Sequence, residues 1–149
     1  MKISAIYATI SSFSRGRIVN SETHFLIVDD YSNIRALVKS QLLDFGFEKV
    51  TEHENVDNAI GFLESNPQPK VDFIISDWNM PGKTGLDFLK WARSQDKLKN
   101  TPFLILTTEN EQAKIMNAIS AGVSNFLLKP WETEELGKKI QMCWKKHNP

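Results

Sequence analysis

Five short apolar runs, each followed by a longer segment of helical period, narrow the folds open to this chain more than any other feature. They are His24 to Val28, Lys49 to Thr51, Val71 to Ser76, Pro102 to Leu106 and Ser124 to Leu128. The third and fourth are almost continuously apolar, as strands buried on both faces are. Between the runs, Ile34, Leu37, Val38, Leu42 and Phe45 fall on one helical stripe, and Val56, Ala59, Ile60 and Leu63 make a second. The Asn66-Pro67-Gln68-Pro69 stretch ends that second helix, because proline has no amide to donate and clashes with the preceding turn. Further helices are predicted to start near Thr84, Asn110 and Thr133, residues whose side-chain oxygens can accept an orphan backbone amide. Their inward faces are Leu86 and Leu89, then Ile115 and Ile119, then Leu136, Ile140, Cys143 and Trp144. Strands alternating with helices indicate a parallel sheet covered on both faces.

A chain of 149 residues suits one domain. We place that domain at residues 24–149, with 1–23 as an N-terminal extension that shows no clear periodicity. Lys plus Arg and Asp plus Glu both total 18, so the molecule lacks the positive field that binding to nucleic acid requires. The apolar stretch from Ile3 to Ile10 is short, is broken by Ser4, Tyr7 and Thr9, and precedes no small-residue cleavage pattern. No window reaches the roughly 18 consecutive apolar residues of a membrane span. The single cysteine, Cys143, fits a reducing compartment and reads as a core side chain. The expectation is a cytoplasmic protein with no membrane insertion.

Ligands of open parallel sheets gather beyond the carboxyl ends of the strands, and the polar chemistry of this chain collects at those ends. Asp29 and Asp30 follow the first apolar run, Asp77 the third, Thr107, Thr108 and Glu109 the fourth, and Lys129-Pro130 the fifth. If the first and third strands are neighbours, three carboxylates converge, and each pair at about 4 Å repels by roughly 4 kcal/mol at a protein-surface dielectric. A hard divalent cation offsets this, and Mg²⁺ suits a few carboxylates plus a carbonyl. Lys129 would add an ammonium and Thr107 a hydroxyl for phosphoryl oxygens, which makes a carboxylate a competent nucleophile toward phosphorus.

As an ordered set, Asp29-Asp30, Ser76-Asp77-Trp78-Asn79-Met80-Pro81, Gly85-Leu86, Thr107-Thr108-Glu109 and Lys129-Pro130 resemble the signature of response regulator receiver domains. The likeness is strongest to the chemotaxis (CheY-like) members and runs from about His24 to the C-terminus. It implies a doubly wound, flavodoxin-like α/β fold: five parallel strands in the order 2-1-3-4-5, flanked by five helices. It also implies that Asp77 accepts a phosphoryl group from the phosphohistidine of a chemotaxis-type sensor histidine kinase. Asp30, Asp77 and the Asn79 carbonyl would then hold Mg²⁺, with Asp29 helping through water. A cis bond before Pro130 is implied as well. Asn79 and Glu109 would flank the hydrolytic water and tune the lifetime of the phosphoryl group, alone or with a phosphatase. Thr107 would couple to Phe126 as the switch aromatic. The protein is then expected to be a monomeric, stand-alone signalling phosphoacceptor of a two-component phosphorelay, with no enzymatic activity beyond its own phosphorylation and dephosphorylation.

Several positions depart from that pattern. Phe126 stands where the chemotaxis protein has tyrosine, so the ring is kept and the hydroxyl lost. This weakens the flagellar motor switch protein as output partner and leaves a phosphate sink, or a regulator of a non-motor partner, as the alternative. Trp131 replaces a smaller phenylalanine and reads as packing under the last helix. Thr108 is bulkier than usual and narrows access to Asp77, Thr84 replaces a capping aspartate, and Trp78 reads as a partly exposed lid. An acidic phosphohydrolase would need aspartates separated by one residue, which Asp29-Asp30-Tyr31 does not supply. A degenerate receiver would lack some of the site residues, and none is missing.

Overall fold

The computed structural model describes residues 20–108 and 112–149. The proposed extension, apart from residues 20–23, therefore lies outside the described residues, as do Glu109 and the helix start at Asn110. The elements alternate as β1 (Phe25–Val28), α1 (Ser32–Asp44), β2 (Val50–His53), α2 (Val56–Leu63), β3 (Phe73–Asp77), α3 (Gly85–Ser94), β4 (Phe103–Thr107), α4 (Gln112–Ser120), β5 (Asn125–Leu128) and α5 (Thr133–His147). All strand pairs are parallel, in the order β2-β1-β3-β4-β5. The five apolar runs are therefore the five strands, in the expected order.

Alternate strand residues feed two separate cores. On one face, Phe25, Ile27, Phe73, Ile75, Leu104 and Leu106 pack against Val38 and Leu42 of α1 and Leu136, Ile140, Cys143 and Trp144 of α5. On the other, Leu26, Val28, Ile74, Phe103 and Ile105 pack against Val56, Ala59 and Leu63 of α2, Phe88 and Leu89 of α3, and Ala118 of α4. The three central strands are buried along their whole length, whereas edge strand β2 is half-buried throughout. That difference explains why Val50–His53 carries polar residues and reads weakly in sequence, its expected range having ended at Thr51.

Some helical expectations need correction. Leu37 is 44% exposed and Ile119 53% exposed. Each sits one step, about 100° of helical turn, from the residue that points inward, Val38 and Ala118 respectively. The buried face of α1 includes Gln41 instead. Thr84 caps α3 as expected, accepting the Asp87 amide while Asp87 accepts the Thr84 amide. At α5 the cap is Glu132, whose amide donates to the Glu135 carboxylate at 3.1 Å, and the Thr133 hydroxyl is engaged elsewhere.

At the amino edge of the sheet Arg93 ties two connections together. Its Nε donates to the Gly122 carbonyl at 2.9 Å, and its Nη1 donates to the Leu98 and Thr101 carbonyls at 3.0 and 2.8 Å. No described helix is long and apolar enough to cross a membrane. Burial pushes the Cys143 thiol up to about 12, so little thiolate forms near neutral pH. Cys143 of the folded protein should therefore resist alkylation by iodoacetamide at mildly alkaline pH and react once guanidinium unfolds it. Labelling of the native protein at the rate of an exposed thiol would show that α5 is not packed as described.

Candidate functional site

The pairing register brings the chemistry to one rim. Val28 lies beside Ser76, Asp77 beside Leu106, and Thr107 beside Leu128, so β1, β3, β4 and β5 finish level with one another. Asp29 is then the first residue past β1, Asp77 the last of β3, Thr107 the last of β4 and Lys129 the first past β5. Strand order reverses between β1 and β3, where open parallel sheets place their ligands.

One carboxylate oxygen each from Asp29, Asp30 and Asp77 fall within 4.8 Å of one another. Asp29 and Asp77 are buried, and burial raises both carboxyls above the usual carboxylate range. Lys129 opposes that shift. Its ammonium donates to Asp77 Oδ1 at 2.7 Å and lies 3.6 Å from Asp29 Oδ2. Asp29 Oδ1 accepts the Tyr31 amide at 2.9 Å. Two oxygens of the cluster, Asp29 Oδ2 and Asp30 Oδ1, are buried and make no hydrogen bond. Buried acceptors without donors cost free energy. A cation that prefers oxygen ligands would satisfy both, so the donor set fits a hard divalent ion and lacks the nitrogen or sulfur that would favour zinc.

The cluster opens into a cleft of about 470 Å³ whose lining includes Asp30, Asp77, Asn79, Thr108 and Lys129. Of the residues singled out in sequence, Asp29, Asp30, Asp77 and Lys129 come together, and Asn79 stands exposed at the cleft. Thr108 also lines it and is exposed, and Thr107 is buried at the end of β4. Glu109 lies outside the described residues. The Lys129-Pro130 bond is cis. Trp78 is not a lid: it is 5% exposed and packs in the core beneath α3, because its position follows a buried strand end. Phe126 is half-buried and stacks on Trp78, with ring centres 6.1 Å apart and planes at 20°. Trp131 packs partly buried against the α1 and α5 core.

Two contributors escaped sequence reasoning. Arg35 of α1 donates to the Asp29 carbonyl at 2.6 Å and pairs with Glu52 of β2 at 3.4 Å, anchoring the acidic turn. No local pattern marks it out. Tyr31 lends the amide that Asp29 accepts and lines the cleft. Gly85 was read only as part of the signature, and its reason is steric. Its amide donates to the Trp78 carbonyl at 2.9 Å, and a Cβ there would collide with the Asp77 carbonyl oxygen.

A doubly wound sheet with an acidic cluster and a lysine at its switch point defines a class, and the comparisons specify it. The sequence matches the response regulator receiver domain model over residues 25–141, and the chain belongs to that family. It is 37% identical to the chemotaxis protein CheY of Pseudomonas aeruginosa over 123 residues, covering 83% of this chain and 97% of that protein. It is 38% identical to CheY1 of Helicobacter pylori, covering 78% of this chain and 93% of that protein. The structure of CheY4 of Vibrio cholerae superposes with a TM-score of 0.73 at 36% identity, covering 81% of this chain and 98% of that one. The protein thus carries a CheY-like receiver domain.

Two outcomes follow from this geometry. Because burial raises the Asp29 pKa above its ordinary 3.8, its charge is tolerated less well in the folded state than in the unfolded. That penalty is absent below the ordinary value, grows as pH rises through the folded pKa, and is full above it. Without divalent cation, Asp29→Asn should therefore be more stable than the parent at neutral pH, with the advantage vanishing near pH 4, as thermal unfolding would read. Gly85→Ala should lose about 1 to 3 kcal/mol in urea unfolding despite alanine's better helix propensity, through overpacking against Asp77.

Proposed function

We propose that this protein is a response regulator phosphorylated on Asp77, and that it passes the signal on through a protein contact. The observation that carries the reading is the Lys129 ammonium held 2.7 Å from Asp77 Oδ1, beside two buried carboxylate oxygens without hydrogen bonds. An Asp77 carboxylate oxygen attacks the phosphorus of a kinase phosphohistidine, the phosphorus–nitrogen bond breaks, and the imidazole leaves with the bonding pair and takes a proton. Asp77 then carries an acyl phosphate. Lys129 holds one phosphoryl oxygen and the Thr107 hydroxyl another. Asp30, Asp77 and the Asn79 carbonyl would hold Mg²⁺, with Asp29 acting through water. When bound, the ion supplies positive charge against the phosphoryl oxygens and the crowded carboxylates. Asn79 and Glu109 would tune how long the phosphoryl group survives.

Similarity to the chemotaxis regulators supports a donor of the chemotaxis histidine-kinase type and a cytoplasmic setting. The chain covers 97% of the Pseudomonas protein, which supports a role in signalling and not in turnover of a substrate. Thr107 movement is read out through Phe126, as the family switch implies. Phe126, lacking a hydroxyl and stacked on Trp78, supports the second reading, a phosphate sink or a regulator of a partner other than the flagellar motor switch.

Incubation with acetyl phosphate and Mg²⁺ should add one phosphoryl group to the intact mass, and the adduct should be absent in Asp77→Asn and in samples treated with chelator. An unchanged mass in the folded wild type would refute phosphorylation at this site. Binding of the phosphorylated form, but not the resting form, to the motor switch peptide would decide for the motor over the alternative.

A further inference from the structure

Gln41 is a polar residue in an apolar stripe. It lies on the inward face of α1 between Val38 and Leu42 and is 6% exposed. An amide buried there without partners would be destabilising. Both of its ends are engaged. Trp131 Nε1–H donates to Gln41 Oε1 at 2.8 Å, and Gln41 Nε2 donates to Thr133 Oγ1 at 3.0 Å.

Both partners belong to the segment that follows Lys129-Pro130 and leads from β5 into α5. On its strand side that segment is pinned where the Lys129 amide donates to the Thr107 carbonyl at 2.9 Å. Beyond Pro130, the paired bonds from Gln41 do the equivalent work. α1 is in turn tied to the acidic turn by Arg35, which donates to the Asp29 carbonyl at 2.6 Å. One helix therefore bridges the carboxylates and the loop that bears the lysine. Apolar packing of Trp131 would tolerate sliding, whereas two hydrogen bonds to one amide fix distance and direction. They also give a reason for tryptophan at 131, since phenylalanine has no N–H to donate.

We propose that Gln41 is a positioning residue for the phosphoryl site: by holding Trp131 and Thr133 it fixes the loop from which Lys129 presents its ammonium, and so sets how firmly a phosphoryl group on Asp77 is held. This rests on the reading of Asp77 as phosphoacceptor. The strand-end carboxylates do not depend on this tie, so the affinity for cation alone and the affinity for the phosphoryl group should separate.

The test uses fluoroberyllate, a stable tetrahedral stand-in for the phosphoryl group, titrated calorimetrically in the presence of Mg²⁺, with Mg²⁺ alone titrated in parallel. Gln41→Leu should weaken fluoroberyllate binding about three- to tenfold, the span one net hydrogen bond or slightly more supplies, and leave Mg²⁺ affinity unchanged. Trp131→Phe removes the N–H together with part of the ring that packs on the core and should weaken fluoroberyllate binding at least as much, which keeps the test open if Gln41→Leu does not fold. The double variant should lose no more than the worse single variant, because both changes cut one tie. Unchanged fluoroberyllate affinity in both single variants would overturn the proposal, as would equal losses of Mg²⁺ and fluoroberyllate affinity. A wild type that binds Mg²⁺ but no fluoroberyllate would instead refute the phosphoacceptor reading, and the proposal with it.

Discussion

The contact between Lys129 and Asp77 is what makes the rest of the rim possible. Asp29, Asp30 and Asp77 crowd together at the ends of two neighbouring strands, two of them buried, where self-repulsion and desolvation both disfavour charge. A single ammonium reaching Asp77 directly and lying near Asp29 offsets part of that cost. It leaves the rest uncompensated, as the two carboxylate oxygens without hydrogen bonds record. Such a site is stable enough to fold and unsatisfied enough to attract positive charge, a combination common where proteins place chemistry.

The frame that holds this rim is made of backbone. Four strands end in register, so that residues spread over a hundred positions of sequence become neighbours without side chains having to specify it. The two cores on either face keep the strands in that register, because a slip of one residue would exchange the faces and set each apolar set against helices packed for the other. The opposite edge is polar too, and most of its polarity is consumed internally, although Arg93 Nη2 is buried without a hydrogen-bond partner. The Arg93 guanidinium is spent on three carbonyls, and Ser124 Oγ lies 2.7 Å from His147 Nε2 while accepting the Phe103 amide at 2.9 Å.

The departures from the family pattern find different explanations. Phe126 keeps its ring against Trp78 and so belongs to the core beneath α3 as much as to the surface. Trp131 is drawn the other way, into the α1 and α5 core, with its indole N–H satisfied by a glutamine. Thr84 does the capping work of the aspartate it replaces, through a hydroxyl acceptor in the same geometry.

By itself, the sequence determined the order and kind of the elements and the members of the rim. The apolar runs 71–76 and 102–106 announced buried strands, and Asp29, Asp77 and Lys129 could be seen standing just past such runs, because hydrophobic periodicity and strand ends are local properties. What only the tertiary structure decided were the facts that depend on neighbours distant in sequence. It buried Trp78, turned Leu37 and Ile119 outward, and brought Arg35 to the Asp29 carbonyl. It also gave Gln41 its two partners some ninety residues away. An inward-facing amide reads as an error in a helical stripe until the chain folds, since a hydrogen bond's worth is set by whether a partner arrives, and no local pattern records that.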